Sequence, residues 1–225
     1  YLSLSKVENR AGNLGQAVAA FEAALEYYTP EAAPLGYAMT MTNLGTAYSG
    51  LADGENRAEN LRRAVAAFET ALEYRTPEVA PLDYATTQYN LGNAYRDLAE
   101  VEDRVGNLRR AVAAYEAALE YRTPEAAPLD YATTQNNLGI VYRHLSEMED
   151  RAGNLGRAMA AFEAALGYYT PEAAPLDYAM TQNNLGNAYR ALSEVEDREA
   201  NLWRAIAAYE AALEYRTPEA APLAY

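Results

Sequence analysis

The chain has 225 residues and a formal charge of −14, from 18 Lys and Arg against 32 Asp and Glu. That balance excludes the basic footprint that nucleic acid demands, argues against anionic membrane surfaces, and favours basic partners. Cysteine is absent, which excludes disulfides and thiolate metal sites; apolar residues at 50% exclude a disordered composition.

The sequence repeats every 47 residues. An Asn-Leu pair opening an alanine-rich run recurs at Asn13, Asn60, Asn107, Asn154 and Asn201, each step being 47. A fixed period of this length marks a stacked repeat array. Residues 1–225 are therefore expected to form a single array of about 4.8 units. Tyr1 aligns with Tyr48 and Tyr225 with Tyr178, so the chain reads as a piece of a longer array. Glutamates break every apolar run before membrane-spanning length, and no secretory leader is visible. The expected location is the cytoplasm.

In chain order the pattern predicts a truncated A helix at residues 1 to about 8, then alternating B and A helices, five B and four complete A. The unit at 82–124 serves for all. Helix A is expected from about 82 to about 102, because Tyr84, Leu91, Tyr95, Leu98 and Val101 fall on one helical face. A polar turn, Glu102 to Gly106, follows. Asn107 is expected to be the N-cap of helix B, its short side chain accepting from a free backbone N–H. Helix B carries Leu108, Ala111, Val112, Tyr115, Ala118 and Leu119 at spacings of 3 and 4, and should end near Arg122. Thr123-Pro124-Glu125-Ala126-Ala127-Pro128 then stops it, since a residue before proline avoids the helical region, and Thr123-Pro124-Glu125 is expected to cap a short turn. No period-2 pattern is visible. The fold class is all-α, a right-handed α-solenoid of stacked antiparallel helix pairs.

The order Leu91-Gly92, Tyr95, Ala111, Tyr115, Ala118, Pro124 resembles the tetratricopeptide repeat (TPR) signature, and the resemblance runs through every unit. The string Thr-Gln-Asn-Asn-Leu-Gly, at 134–139 and 181–186, is similar to long units of bacterial CHAT-protease-associated arrays and, more distantly, of kinesin light chain. The period exceeds the 34 residues of the family. Seven of the extra residues are nearly two helical turns and are expected to lengthen helix A; the rest fall around the proline-bounded connection. The family's helix A Trp is replaced by Gln88, Gln135 and Gln182, and Tyr84, Tyr131 and Tyr178 one turn earlier are expected to stand in for it.

The resemblance implies a concave surface lined by A helices, on which a protein or peptide binds. The polar stripe opposite the Leu91–Tyr95 core face marks the candidate residues. They are Tyr89, Asn90, Asn93 and Arg96; Asn136, Asn137 and Arg143; and Asn183, Asn184, Asn187 and Arg190. Asparagine amides donate and accept, so a ladder of them suits an extended backbone. Arginine adds bidentate binding of a carboxylate or phosphate, such as a free carboxylate on the partner. The competing reading ties the second Asn of each pair to the neighbouring repeat.

No catalytic constellation emerges. His144 is the only histidine, its equivalents are Gly50, Asp97 and Ala191, and no nucleophile is placed beside it. The Glu100, Glu102, Asp103 cluster and its repeats lack calcium-loop spacing, and the Gly-Asn-Leu-Gly strings lack the strand a phosphate loop needs. Arg62-Arg63 and Arg109-Arg110 are expected to bridge to the acidic turn. Trp203 occupies a tolerant position and should be partly exposed. No enzyme activity, cofactor or metal is expected. The expected function is a protein-interaction scaffold, as a monomer or self-associating end to end. The alternatives are a structural stacking array and a regulatory arm of a protease or NTPase.

Overall fold

The computed structural model describes residues 10–54 and 56–215; the truncated helix expected at 1–8, and Tyr1 and Tyr225, lie outside them. The described residues form nine helices and no strand. The A helices are α2 (Pro34–Leu51), α4 (Pro81–Leu98), α6 (Pro128–Leu145) and α8 (Pro175–Leu192). The B helices are α1 (Arg10–Leu25), α3 (Arg57–Leu72), α5 (Arg104–Leu119), α7 (Arg151–Leu166) and α9 (Arg198–Tyr215). Within each of two compact units, successive helices pack on one another, the packing of an all-α solenoid. The contacts gather into two compact units, residues 1–121 and 122–225. In the first, α1 packs on α2, α2 on α3, α3 on α4 and α4 on α5; in the second, α6 on α7, α7 on α8 and α8 on α9.

Each A helix begins on a proline at its first position, where the missing N–H costs nothing and the fixed φ suits the helix. The preceding Thr-Pro-Glu segment is a hydrogen-bonded turn: Thr123 Oγ1 accepts from the Ala126 N–H at 3.3 Å, and the Thr123 carbonyl accepts from Ala127 at 2.9 Å.

Three boundaries depart from the expectation. Helix A stops at Leu98, not near 102. Residues 99–102 turn instead, with Glu102 N–H donating to the Leu98 carbonyl at 2.9 Å, and Val101 is exposed. The extra residues of the long period therefore build turns as well as helix. Helix B begins three residues before the expected cap. The cap position is Asp103, held left-handed at φ 38°, with its side chain accepting from the Gly106 N–H at 3.2 Å. Asn56, Asp150 and Asp197 repeat the conformation, which Asn and Asp adopt more readily than other non-glycine residues. The B helix ends at Leu119 rather than near Arg122.

Asn107 is thus a first-turn residue, not a cap. It is buried, and its amide donates to the Glu102 carbonyl at 2.8 Å. Asn154 and Asn201 are buried likewise, donating to the Glu149 and Glu196 carbonyls. Each Asn pins the turn between helices to the start of helix B.

Within a pair, a ring on helix B lies against a glycine on helix A. A Cβ added to Gly92 would stand 2.6 Å from the Tyr115 ring, and one on Gly139 2.6 Å from Phe162. Glycine is required there because the helices approach that closely. Full burial of such a ring is worth about 2–3 kcal/mol. Between consecutive pairs, Leu155, Ala158 and Phe162 of α7 pack on Leu185, Ala188 and Leu192 of α8. Tyr84, Tyr131 and Tyr178 fill the expected aromatic role, meeting Tyr121, Tyr168 and Tyr215 edge-on at 5.4–5.7 Å.

Candidate functional site

Several acids of the turns after the A helices are paired. Glu100 pairs with Arg57, Glu102 with Arg62 and Glu194 with Arg151, each joining a turn to the B helix of the preceding repeat. Arg63, Arg110, Arg157 and Arg204 lie over the rings of Tyr48, Tyr95, Tyr142 and Tyr189 at 5.6–5.8 Å, a cation–π contact. Opening a B helix with arginine therefore serves packing between the two helices of a pair. The Tyr48 and Tyr189 hydroxyls also donate to Glu22 and Glu163 of the preceding B helix at 3.1 Å, and Tyr95 to Glu69. Burial, then the neighbouring glutamate, raises all three phenol pKa values.

The polar stripe on the A helices divides by what each side chain touches. Asn136 is 3% exposed, and its Oδ1 accepts from Thr181 at 3.2 Å and from the Asn184 amide at 3.1 Å. These three stitch α6 to α8. Thr42 and Thr87 meet at 3.4 Å at the matching place between α2 and α4. There the buried Arg75 inserts, its Nη1 3.3 and 3.4 Å from the two hydroxyls, while its Nε has no hydrogen-bond partner. Nothing in the sequence marked Arg75, whose equivalents include Tyr28 and Tyr169.

Asn93 and Asn187 accept from the helix B hydroxyls of Tyr115 and Tyr209 at 2.7 and 3.0 Å. Burial pushes the Tyr115 hydroxyl pKa up. Where helix B carries Phe68 or Phe162, the A-helix position is Thr46 or Ile140, neither of which needs a donor. That pairing was readable in the sequence: aromatic hydroxyl and amide occur together or not at all. Tyr89 tilts its ring against Tyr115 at 5.9 Å. Asn90, Asn137 and Asn183 are half-buried.

The three arginines differ. Arg96 is half-buried and donates to Asp97 at 2.8 and 3.0 Å. Arg143 lies 2.8 Å from His144 Nε2 and 3.5 Å from Glu147. Arg190 is exposed, and among the described residues its guanidinium has no partner. Arg143, Asn187 and Arg190 come together around a cleft of 390 Å³ at the ends of α6 and α8, closed by Arg151 at the start of α7. No group of three acidic or histidine side chains gathers as a metal site among the described residues, and no described helix is long and apolar enough to cross a membrane.

A tetratricopeptide repeat family model matches residues 85–125 and 179–219. No curated protein matches the chain. Among solved structures, a crystal structure of MamA aligns with a TM-score of 0.60 and 18% identity, covering 98% of both chains. A second, of MamA protein, has the same TM-score and identity and is covered over 92% of its length. BtubC (BKLC) from P. vanneervenii aligns with a TM-score of 0.51 and 20% identity, over 93% of this chain and 90% of that one. At these identities the likeness is one of fold alone. The tetratricopeptide repeat model thus matches two of the repeats, and the same helix pair and glycine–ring contact recur in the repeats beside them.

Proposed function

We propose that the chain is a scaffold whose A helices receive an extended peptide or protein segment on their polar face. The observation that supports this is a set of donors left over after the helices have packed. The amides of Asn90 and Asn183 are half-buried and have no partner among the described residues. Asn187 spends its oxygen on Tyr209 and keeps its NH₂, and the Arg190 guanidinium is unpaired. Half-buried amides gain most from a partner that brings its own backbone donors and acceptors. Asn136 and Asn184 belong to the frame of this surface, because their amides bond each other across α6 and α8.

The test is selection from a random peptide library by the wild type and by Asn90→Ala, Asn183→Ala, Arg190→Ala combined. The wild type should enrich a peptide class that the triple variant loses while its helicity is unchanged. Equal enrichment by both would refute the surface.

A further inference from the structure

Charge is distributed unevenly between the two ends of the helix pairs. In the first unit, Tyr37 at the start of α2 meets Tyr74, just past α3, edge-on at 5.4 Å, and Tyr84 meets Tyr121 in the same way. The connections from B helix to A helix therefore lie together at one end of that unit. Residues 26–37 and 73–84, which make up those connections and the first turns of α2 and α4, hold five Asp and Glu against one Arg. Residues 51–63 and 96–110, at the other end, hold seven of each sign. There acids meet arginines, as in Arg10–Asp53, Arg57–Glu100, Arg62–Glu102 and Arg96–Asp97. At the connection end, Glu31, Glu73, Glu78 and Glu120 are exposed and form no ion pair among the described residues.

These glutamates gather in twos, one from each of two successive connections. Partial burial, then Glu73, Tyr37 and Glu31, raises the phenol pKa of Tyr74; partial burial, then Glu120, Glu78 and Tyr84, raises that of Tyr121. The four rings are half-buried, so part of each ring and the carboxylates beside it reach solvent. Elsewhere the chain fills the same combination from within. Arg63 lies over Tyr48, whose hydroxyl donates to Glu22, and Arg110 over Tyr95, whose hydroxyl donates to Glu69. Phenol, glutamate and guanidinium form one group there, the cation held by ring face and carboxylate together. At Tyr74 and Tyr121 the phenol and two glutamates are in place, and no described arginine lies over the ring. Apolar side chains stand beside them: Leu35 and Met39, one turn apart on α2, are 45% and 47% exposed, and Leu82 at the start of α4 is 56% exposed.

We infer that the connection end of the first unit docks a basic amphipathic protein segment, whose lysine or arginine side chains sit against the Tyr37–Tyr74 and Tyr84–Tyr121 pairs between their glutamates, and whose apolar side chains cover Leu35, Met39 and Leu82. Covering the apolar residues supplies buried area, and the glutamate pairs select the sign of the partner. The surface lies at the ends of the helices, and the inference does not rest on the polar face of the A helices. In the second unit Glu172 and Glu214 act on Tyr215 in the same way, whereas Gly167 takes the place of the second glutamate beside Tyr168.

The experiment is fluorescence anisotropy of the full chain with three labelled, end-capped peptides. One places lysine and leucine on opposite faces of a helix, one has the same lysines among glycine and serine, and one has the leucine pattern with glutamine for lysine. The first should bind saturably and at least about tenfold tighter than either of the others. Glu31→Gln, Glu73→Gln, Glu78→Gln and Glu120→Gln combined should weaken it about tenfold. Removing the same number of charges from the turns after the A helices, by Glu147→Gln, Glu194→Gln, Glu196→Gln and Glu199→Gln combined, should leave it within about twofold. All eight side chains are exposed, so circular dichroism should show unchanged helicity in both variants. The surface is overturned if the two variants weaken binding equally, which would assign it to net charge. It is overturned too if either control peptide binds as tightly as the first, or if the first does not bind.

Discussion

The pairing of Tyr115 with Asn93 allows a test in which the protein supplies its own control. Tyr115 is fully buried, and its hydroxyl donates to Asn93 Oδ1 at 2.7 Å. Tyr115→Phe removes that donor and keeps the ring against Gly92. A neutral hydrogen bond contributes a net ~1 kcal/mol, and an acceptor stranded in the interior costs up to about 3. Asn93 is only half-buried, so water reaches its oxygen and the lower figure applies, about 1 kcal/mol. Asn93→Ile alone strands the hydroxyl, which is the more deeply buried partner, and should cost more, about 2 kcal/mol. The double variant reproduces the Ile140–Phe162 pair of the next repeat and should lie within about 0.5 kcal/mol of the wild type, giving a coupling of about 2.5–3 kcal/mol. Guanidinium unfolding followed by circular dichroism measures this. The curves should be fitted with nearest-neighbour coupling between repeats rather than as one all-or-none transition. If the double variant is as destabilised as the sum of the singles, the Phe/Tyr alternation has nothing to do with its A-helix partner and the reasoning fails.

Glycine divides into two kinds. Gly92→Ala drives a methyl to 2.6 Å from the Tyr115 ring and should destabilise by about 1–3 kcal/mol; Gly156→Ala on α7 meets nothing within 4 Å and should stabilise by about 0.5–1 kcal/mol through helix propensity. Thermal unfolding of the two variants should move in opposite directions. At the left-handed start of α7, Asp150→Ala should cost about 1–2 kcal/mol while Asp150→Gly stays near neutral; equal losses would mean that the side chain's contacts matter and its φ of 38° does not. Burial raises the phenol of Tyr115 above its ordinary value of 10.0. In the unfolded chain that hydroxyl ionises from about pH 10, whereas in the folded one it does not, so its share of stability is complete below that pH and is lost as pH rises further. A pH series of denaturation midpoints should show this alkaline loss, reduced in Tyr115→Phe; an identical slope in both assigns it to other groups.

The 47-residue period, the helix pairs and the glycine and aromatic positions of the family were legible in the sequence because each is enforced in every repeat by packing that leaves no alternative residue. The boundaries were not. Asn107 looks like a cap, being a short polar side chain ahead of an apolar run, yet the backbone turns at Asp103, and the buried Asn holds that turn from inside. The signal was present in the series Asn56, Asp103, Asp150, Asp197, the residue types that tolerate positive φ, each followed directly by arginine. Val101 continued the apolar phase of helix A and still fell in a turn, because periodicity reports a face and says little about where hydrogen bonding changes from helix to turn. The candidate stripe failed to sort itself for a different reason. Asn136 and Asn183 occupy the same repeat position with the same residue, but Asn136 is spent on Thr181 and Asn184 of the next A helix, whereas Asn183 is half-buried and has no partner among the described residues. Identity at a repeat position therefore does not fix a role; the role depends on what the following repeat places opposite.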